Sequence, residues 1–242
     1  MCSSDLCALA LAFPVAMLPP AAHASDVIVV ATTDIWLAGQ PDGASVTGYF
    51  GSDTAPANSP VSVGAVGGTV YTFSITGYTP VSVDGVCFDS NADAGACYAD
   101  EFSDSPGSAN SISLAHLSAG ALVGVFVAAG GPSGPMPPAL DFSGSGIGTS
   151  FASLSPLLDQ LFFIGDGLTG TGTGDVQQFV VPADATELYL AVADSVGASG
   201  NNSDSISVDV SETPEPSAFV LVSAGLLAVL ALRRKSLGWS AT

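Results

Sequence analysis

The sequence predicts an all-β protein folded as an antiparallel β-sandwich, and three observations lead to this prediction. Short apolar or alternating runs recur along the middle of the chain, separated by turn-forming residues in a sequence that contains 28 Gly and 16 Pro. In "TVYTFSI" the side chains of residues 70–75 alternate between two faces, as they do in a strand. Helical periodicity is weak almost everywhere. Eight or nine such strands suffice for two packed sheets.

The strand-forming segments follow one another with Gly, Pro, Asn and Asp at their borders, and most are rich in β-branched or aromatic residues. In chain order they are "VIVVATTDIWLAG", "SVTGYF", "SPVSVGAVGGTVYTFSITG", "TPVSVDGVCF", "ALVGVFVAA", "DVQQFVVP", "TELYLAVAD" and "SISVDV". Between the fifth and sixth runs, residues 128–150 are predicted to form a long Pro/Gly/Ser-rich insertion. Residues 151–163, "FASLSPLLDQLFF", alone favour a helical turn or two.

The C-terminal region carries an apolar run that ends in the chain's only Lys and Arg residues. Ala218 to Leu232 is uncharged, and as a helix it would be about 22 Å long at about 1.5 Å per residue, short for a bilayer core of roughly 30 Å. A buried core helix is the usual interpretation of a run of this length. The basic cluster at 233–235 favours a short transmembrane helix over 217–232, with the cluster on the cytoplasmic side.

The N-terminus has the features of an export signal. An apolar stretch runs from Leu6 to Ala22, and Ala22-His23-Ala24 provides a small-x-small cleavage site before Ser25. The basic n-region typical of such signals is missing from "MCSSDL". We therefore interpret residues 1–24 as a signal peptide that leaves a domain over residues 25–212 outside the cytoplasm.

The order of elements at the C-terminus resembles a PEP-CTERM tag. The three parts of the tag are the Pro-Glu-Pro, the apolar segment and the basic cluster, carried here over residues 213–235 and followed by a tail over 236–242. The motif residues are Pro214, Glu215, Pro216, Arg233, Arg234 and Lys235. The resemblance implies transient anchoring in the inner membrane, processing by an exosortase, and delivery to the cell surface or extracellular matrix.

The composition of the exported part limits the classes of partner. The chain has 22 Asp and Glu, and all but Asp5 and Glu215 fall between residues 25 and 213, where Lys and Arg are absent. Such a surface repels phosphate backbones, which excludes nucleic acid as a partner. Divalent cations are its natural counter-ions, although acidity alone also keeps an exported protein soluble.

Two cysteines remain after removal of the signal peptide. Cys87 and Cys97 lie ten positions apart in "VCFDSNADAGACYADE", and this spacing in an exported chain indicates one local disulfide between them.

The stretch "ADSVGASGNNSDSISV" can place several oxygen ligands on one loop. Asp194 ends one predicted strand, Asn201 and Asn202 precede the next, and glycines between them allow tight turns. Calcium needs six to eight oxygen ligands of this kind. The same residue types also populate an ordinary hairpin turn, so the spacing alone leaves both interpretations open.

The segment "PADATELYLAVADSVGASGNNSDSISVDV" resembles the C-terminal part of the PA-IL-like lectins, which have a jelly-roll, galactose-binding-domain-like fold. "SPVSVGAVGGTVYTFSITG" and "GALVGVF" are similar to the opening hairpin and central strand of that family. The resemblance implies a loop calcium that is completed by sugar hydroxyls. It assigns a carboxylate to Asp194, a carbonyl to Ala198 and side-chain oxygens to Asn201 and Asn202, with one more carbonyl from residues 79–82.

The His and Gln that hold the sugar in that family have no counterpart in the region that should supply them. The resemblance therefore does not identify the sugar. Catalytic signals are also poor, because the domain lacks Lys and Arg and has no Gly-x-Ser-x-Gly elbow. We therefore expect a binding module and not an enzyme. The two remaining hypotheses are a calcium-dependent carbohydrate-binding module and a structural exopolysaccharide or biofilm-matrix protein that binds no sugar.

Overall fold

The computed structural model describes residues 23–78, 80–85, 87–88, 92–93 and 109–213. The predicted signal peptide lies almost entirely outside these residues. The transmembrane segment 217–232, the six sorting-motif residues, the tail and Cys97 also lie outside them. Within the described residues, no helix is long and apolar enough to cross a membrane.

The described residues form strands and two 3-10 helices, which confirms the prediction of an all-β chain. The strands are β1 His23–Val30, β2 Ser45–Thr47, β3 Ser52–Thr54, β4 Val61–Gly64, β5 Val70–Tyr78, β6 Ser82–Val83, β7 Cys87–Phe88, β8 Ala115–His116, β9 Leu122–Ala128, β10 Leu140–Asp141, β11 Ser153–Leu154, β12 Phe162–Phe163, β13 Leu168–Gly170, β14 Thr173–Val176, β15 Gln178–Val180, β16 Ala185–Val192 and β17 Ser205–Thr213. The helices are η1 Ile35–Leu37 and η2 Ser199–Asn201.

Two sheets hold most of the long strands. The five-stranded sheet has the order β1-β17-β5-β15-β11, and the four-stranded sheet has the order β12-β9-β16-β4. Most pairings are antiparallel, as predicted, whereas β11–β15 and β8–β10 are parallel. The jelly-roll type of sandwich stays a prediction.

Aromatic rings join the two sheets in the core. Tyr71 of the five-stranded sheet meets Phe126 of the four-stranded sheet at a centroid distance of 6.1 Å, and Phe162 meets Phe179 at 5.5 Å. Every one of these side chains is at most 2% exposed. Edge-to-face and tilted ring pairs of this kind add to the stabilisation by buried apolar area, so they fix how the sheets face each other.

The four-stranded sheet is covered on its other side as well. Strand β9 is buried along almost its whole length, and η1 packs against both β9 and β16. The indole N–H of Trp36, within η1, donates to the Ser113 carbonyl oxygen at 3.1 Å. This third layer explains why "ALVGVFVAA" is a continuous apolar run and does not alternate.

Two local predictions were wrong. The run "VIVVATTDIWLAG" does not continue as a strand, because β1 ends at Val30, a turn follows, and η1 begins at Ile35, capped by the Asp34 carboxylate. Residues 151–163 form β11, a turn and β12 instead of a helix. In that turn the Leu157 N–H bonds to the side chain of Gln160, and Asp159 has a φ of 59°, outside the helical region.

The first and last described strands close the domain. His23 pairs with Glu212 and Val30 pairs with Ser205, so β1 and β17 lie side by side along their full lengths. The five-stranded and four-stranded sheets are both complete between residues 23 and 213. This segment therefore contains its own sheets and core, and we expect it to fold as a unit. Its two ends emerge together at one pole of the domain.

Candidate functional site

The loop between β16 and β17, residues 193–204, lies at the opposite pole. Strand β17 is nine residues long, about 30 Å at roughly 3.3 Å per residue, and it runs from this loop to the end of the described chain. A bridge between Ser82 and Ser203 attaches the segment after β5 to the loop. The structure thus places residues 82–84 beside the two asparagines of the loop.

Asp194 and Asn202 contact each other directly. The Asn202 side-chain amide donates to Asp194 Oδ2 at 2.9 Å, and the Ser195 N–H donates to Asp194 Oδ1 at 2.6 Å. The same Asn202 amide donates to the Ala31 carbonyl oxygen at 3.3 Å. Both side chains are buried, at 4% and 5% exposure. Asn202 therefore ties the loop to the end of β1 and supplies polar hydrogens to a buried carboxylate.

Asn201 points towards a different carboxylate. Its side-chain amide donates to Asp84 Oδ1 at 2.8 Å, while the Asp84 N–H donates to Asn202 Oδ1 at 3.2 Å. Asp84, Asn201, Asn202 and Asp194 thus form one connected network. Ala198 precedes η2, and its N–H donates to the Ser195 carbonyl oxygen at 3.0 Å.

Two further carboxylates bind the loop backbone, and the sequence analysis did not identify them. Asp53 accepts hydrogen bonds from the Ser199 N–H at 2.8 Å and from the Gly200 N–H at 3.1 Å. Asp34 accepts the Gly197 N–H at 2.8 Å through one oxygen and caps η1 through the other. Both residues are at most 4% exposed. We refer to Asp34, Asp53, Asp84 and Asp194 as the carboxylate cluster.

The negative charges of the carboxylate cluster repel one another, because acidic groups are buried close together in a segment that has no Lys or Arg to balance them. Burial raises the pKa of Asp34 to about 7, and the neighbouring charge of Asp53 adds to the increase. Burial also raises the pKa of Asp194 to about 6, with smaller contributions from Asp84 and Asp53. Hydrogen bonds from the loop act in the opposite direction but do not cancel burial.

The fit of this cluster to calcium is partial. Each carboxylate oxygen that accepts one hydrogen bond keeps a second lone pair, so the backbone contacts do not prevent coordination. In contrast, Asn202 presents its amide nitrogen, not its oxygen, to Asp194. No group of three or more His, Cys, Asp or Glu side chains among the described residues is arranged to hold a metal ion. For Asp194 and Asn202 to share a metal ion, the Asn202 amide would therefore have to rotate.

A hairpin made by β2 and β3 is fixed to the same loop. Its turn is closed by a hydrogen bond from the Gly48 N–H to the Gly51 carbonyl oxygen at 3.0 Å. Gly51 and Gly197 approach so closely that a Cβ at either one would lie 2.5–2.7 Å from the carbonyl oxygen of the other. Gly197 also has a φ of 72°, which favours glycine. Only glycine fits at this crossing.

The remaining predicted residues are only partly within the described part of the chain. The backbone of Cys87 lies in β7, and its partner Cys97 lies outside the described residues, so the disulfide stays a prediction.

Comparison with known proteins identifies the C-terminal region. Residues 212–235 match the PEP-CTERM protein-sorting motif. This match confirms the predicted sorting motif, which is typical of exported proteins that an exosortase sorts. No curated protein and no solved structure matches the chain. The motif begins at the last residues of β17, so the tag follows the folded domain directly.

Proposed function

We propose that this protein is a calcium-dependent carbohydrate-binding module, not an enzyme, displayed at the cell surface or in the extracellular matrix. The observation that carries the proposal is the carboxylate cluster on the loop between β16 and β17. The carboxylate of Asp194, within the loop, and those of Asp34, Asp53 and Asp84, from three other parts of the chain, accept hydrogen bonds from the loop at 2.6–3.1 Å. Asparagine amides and carbonyl groups lie among them.

The charge of the cluster favours a cation. Buried carboxylates are normally compensated by a basic side chain, by a metal or by protonation. The segment that holds the cluster has no Lys or Arg. With a pKa near 7 Asp34 is about half ionised at neutral pH, and Asp194, with a pKa near 6, is mostly ionised. Calcium outside the cell, which is abundant, would supply the missing positive charge.

The loop lies where it would be accessible to extracellular ligands. The PEP-CTERM motif implies a membrane-anchored C-terminal tail before exosortase processing. That tail leaves the domain at the pole where β17 ends, about 30 Å from the loop at roughly 3.3 Å per residue. The loop would then face away from the inner membrane and towards extracellular glycans.

Calcium titration tests the metal site. We expect the metal-free domain, residues 23–213, to bind calcium with a Kd of about 0.1–1 mM, in the range of extracellular modules. Calorimetry should show this binding, and saturating calcium should raise Tm. Replacing Asn201 with Ala should weaken binding at least tenfold without unfolding the domain, because this side chain is exposed. Asp194→Ala together with Asn201→Ala should abolish it.

Asp184→Ala is the matched control, since it removes an exposed carboxylate that lies outside the cluster. Absence of calcium heat in the wild type, or equal binding in the wild type and in the Asn201→Ala variant, would remove the calcium proposal.

The second candidate is a structural matrix protein that uses the same loop without a ligand. This candidate is favoured because the carboxylates already have hydrogen-bond partners within the protein. Asp34, Asp53 and Asp194 each accept backbone N–H groups of the loop. Under this alternative, Asn201→Ala leaves retention in the matrix unchanged and calcium has no effect on Tm. Retention of secreted protein in the polysaccharide fraction, with and without a chelator, separates the two candidates.

The sorting tag gives an independent prediction. Replacing Pro214, Glu215 and Pro216 with Ala should leave the unprocessed precursor in the inner membrane, because the segment that exosortase recognises is lost while the apolar anchor remains. Immunoblots of membrane and medium fractions measure this outcome. Release of a shortened product at the wild-type level would show that processing does not depend on the motif.

A further inference from the structure

We propose that Tyr49 and Phe50, at the tip of the β2–β3 hairpin, form the aromatic platform on which a neutral glycan stacks beside the carboxylate cluster. This inference rests on the proposed carbohydrate binding and names the surface that would make the contact. The two side chains are 83% and 74% exposed, the highest values among the large apolar side chains of the described residues.

The two rings form a pair with a fixed geometry. Their centroids are 5.0 Å apart and their planes meet at 82°, so the edge of one ring packs against the face of the other. Each ring therefore keeps an open face. An open aromatic face is a docking surface for the apolar C–H side of a pyranose ring. Exposing two large aromatic side chains at one turn costs solubility, which is characteristic of a surface with a binding role.

The hairpin that carries the platform contacts the loop directly. The Gly51–Gly197 crossing joins the hairpin turn to the loop backbone. From β3, Asp53 accepts two N–H groups of the loop, at 2.8 and 3.1 Å. Beside the rings, the Thr47 and Ser52 hydroxyl groups lie 3.1 Å apart and add polar groups to the hairpin. A sugar stacked on the platform would thus lie next to the groups proposed to bind calcium.

Charge and position favour a neutral glycan over a lipid surface. The domain has no Lys or Arg to attract anionic headgroups, and its many carboxylates repel them. The platform also lies on the loop pole, opposite the pole from which the C-terminal tag enters the membrane. Sugar hydroxyls, in contrast, donate readily to carboxylates and complete the coordination of calcium.

A glycan array with neutral and uronate oligosaccharides tests the platform, with residues 23–213 as the probe in about 10 mM calcium, tenfold above the upper end of the expected Kd range. We expect the wild type to bind neutral glycans, and Tyr49→Ala with Phe50→Ala to reduce that binding at least tenfold. The double variant should keep its calcium affinity, because neither ring contributes a ligand. Tyr49→Phe with Phe50→Tyr should retain glycan binding.

Met136→Ala with Ile147→Ala is the matched control, since both side chains are about half exposed on a different segment. If the wild type binds calcium but no glycan, the proposed platform is wrong, whereas the proposed calcium site is unaffected. Loss of calcium binding in the wild type would overturn the proposed function itself. Binding to phosphatidylcholine vesicles that depends on Tyr49 and Phe50, without glycan binding, would assign the platform to lipid and overturn the inference.

Discussion

Replacing Asp53 with Ala is expected to destabilise the metal-free domain by about 2 kcal/mol at pH 7. The carboxylate accepts two N–H groups of the loop, from Ser199 and Gly200, and it is only 4% exposed. The Ser199 N–H is buried, and leaving it without a partner costs about 1–3 kcal/mol, whereas Gly200 is exposed, so its N–H can bond to water. The variant also removes a negative charge beside Asp34, which offsets part of the loss. The offset is the smaller effect, because Asp34 can take up a proton near neutral pH.

Urea unfolding, followed by Trp fluorescence, measures the change in the free energy of unfolding. The Asp53→Asn variant should lose less than Asp53→Ala, because its single side-chain oxygen can still accept one of the two N–H groups. Asp184→Ala has the same change in charge at an exposed position and should stay within about 0.5 kcal/mol of the wild type. A loss for Asp53→Ala no larger than that of this control would show that the carboxylate does not hold the loop.

The strands could be predicted because their signal is local. The alternation in "TVYTFSI" reappears in β5, and the Asp-containing borders of "TELYLAVAD" reappear near the ends of β16. The short helix η1 could not be predicted in this way. Its apolar residues read as strand, and they fold as a helical turn because Asp34 caps them and the four-stranded sheet buries them.

The candidate site was accessible to sequence reasoning only in its local part. Asp194, Asn201 and Asn202 share one short stretch, so their spacing suggested oxygen ligands. Asp34 and Asp53 lie 163 and 146 positions from the N–H groups that they accept, and no local pattern marks such a contact. The buried acidic pattern around "TTDIW" and "GSDTA" resembles an ordinary cap or turn in sequence. Asp34 and Asp53 become part of the site only because the tertiary fold brings distant parts of the chain to the loop.

The charges around the two titrating groups set an unusual pH dependence. Asp34 faces Asp53, and Asp194 faces Asp53 and Asp84. No basic side chain from any element of the domain balances them, since residues 25–213 have no Lys or Arg and the one histidine in that range, His116, pairs with Asp141 in the β8–β10 ladder. Protonation is therefore the available route to relieve the repulsion when calcium is absent.

The metal-free domain is expected to become less stable as the pH rises from 5 to 7.5. The pKa of Asp34 is about 7 in the folded state, against 3.8 for an ordinary Asp, so the folded state holds a proton that the unfolded state has released. Stability from this proton is complete below about pH 4 and is lost as the pH rises through 7. Asp194, with a pKa of about 6, acts in the same direction over a lower range. Together they correspond to a loss on the order of 3 kcal/mol across this interval.

Thermal and urea unfolding at pH 5, 6, 7 and 7.5 in the presence of a chelator measure this slope. General repulsion among the acidic residues also favours low pH, and the Asp34→Asn variant separates the two effects. It should flatten the slope by roughly half, whereas Asp184→Asn should leave it unchanged. Saturating calcium should reverse the trend, because the ion binds the ionised carboxylates and gains affinity as protons leave. A slope that is the same in the wild type and in Asp34→Asn would mean that the carboxylate cluster does not control stability and needs no cation to balance its charge.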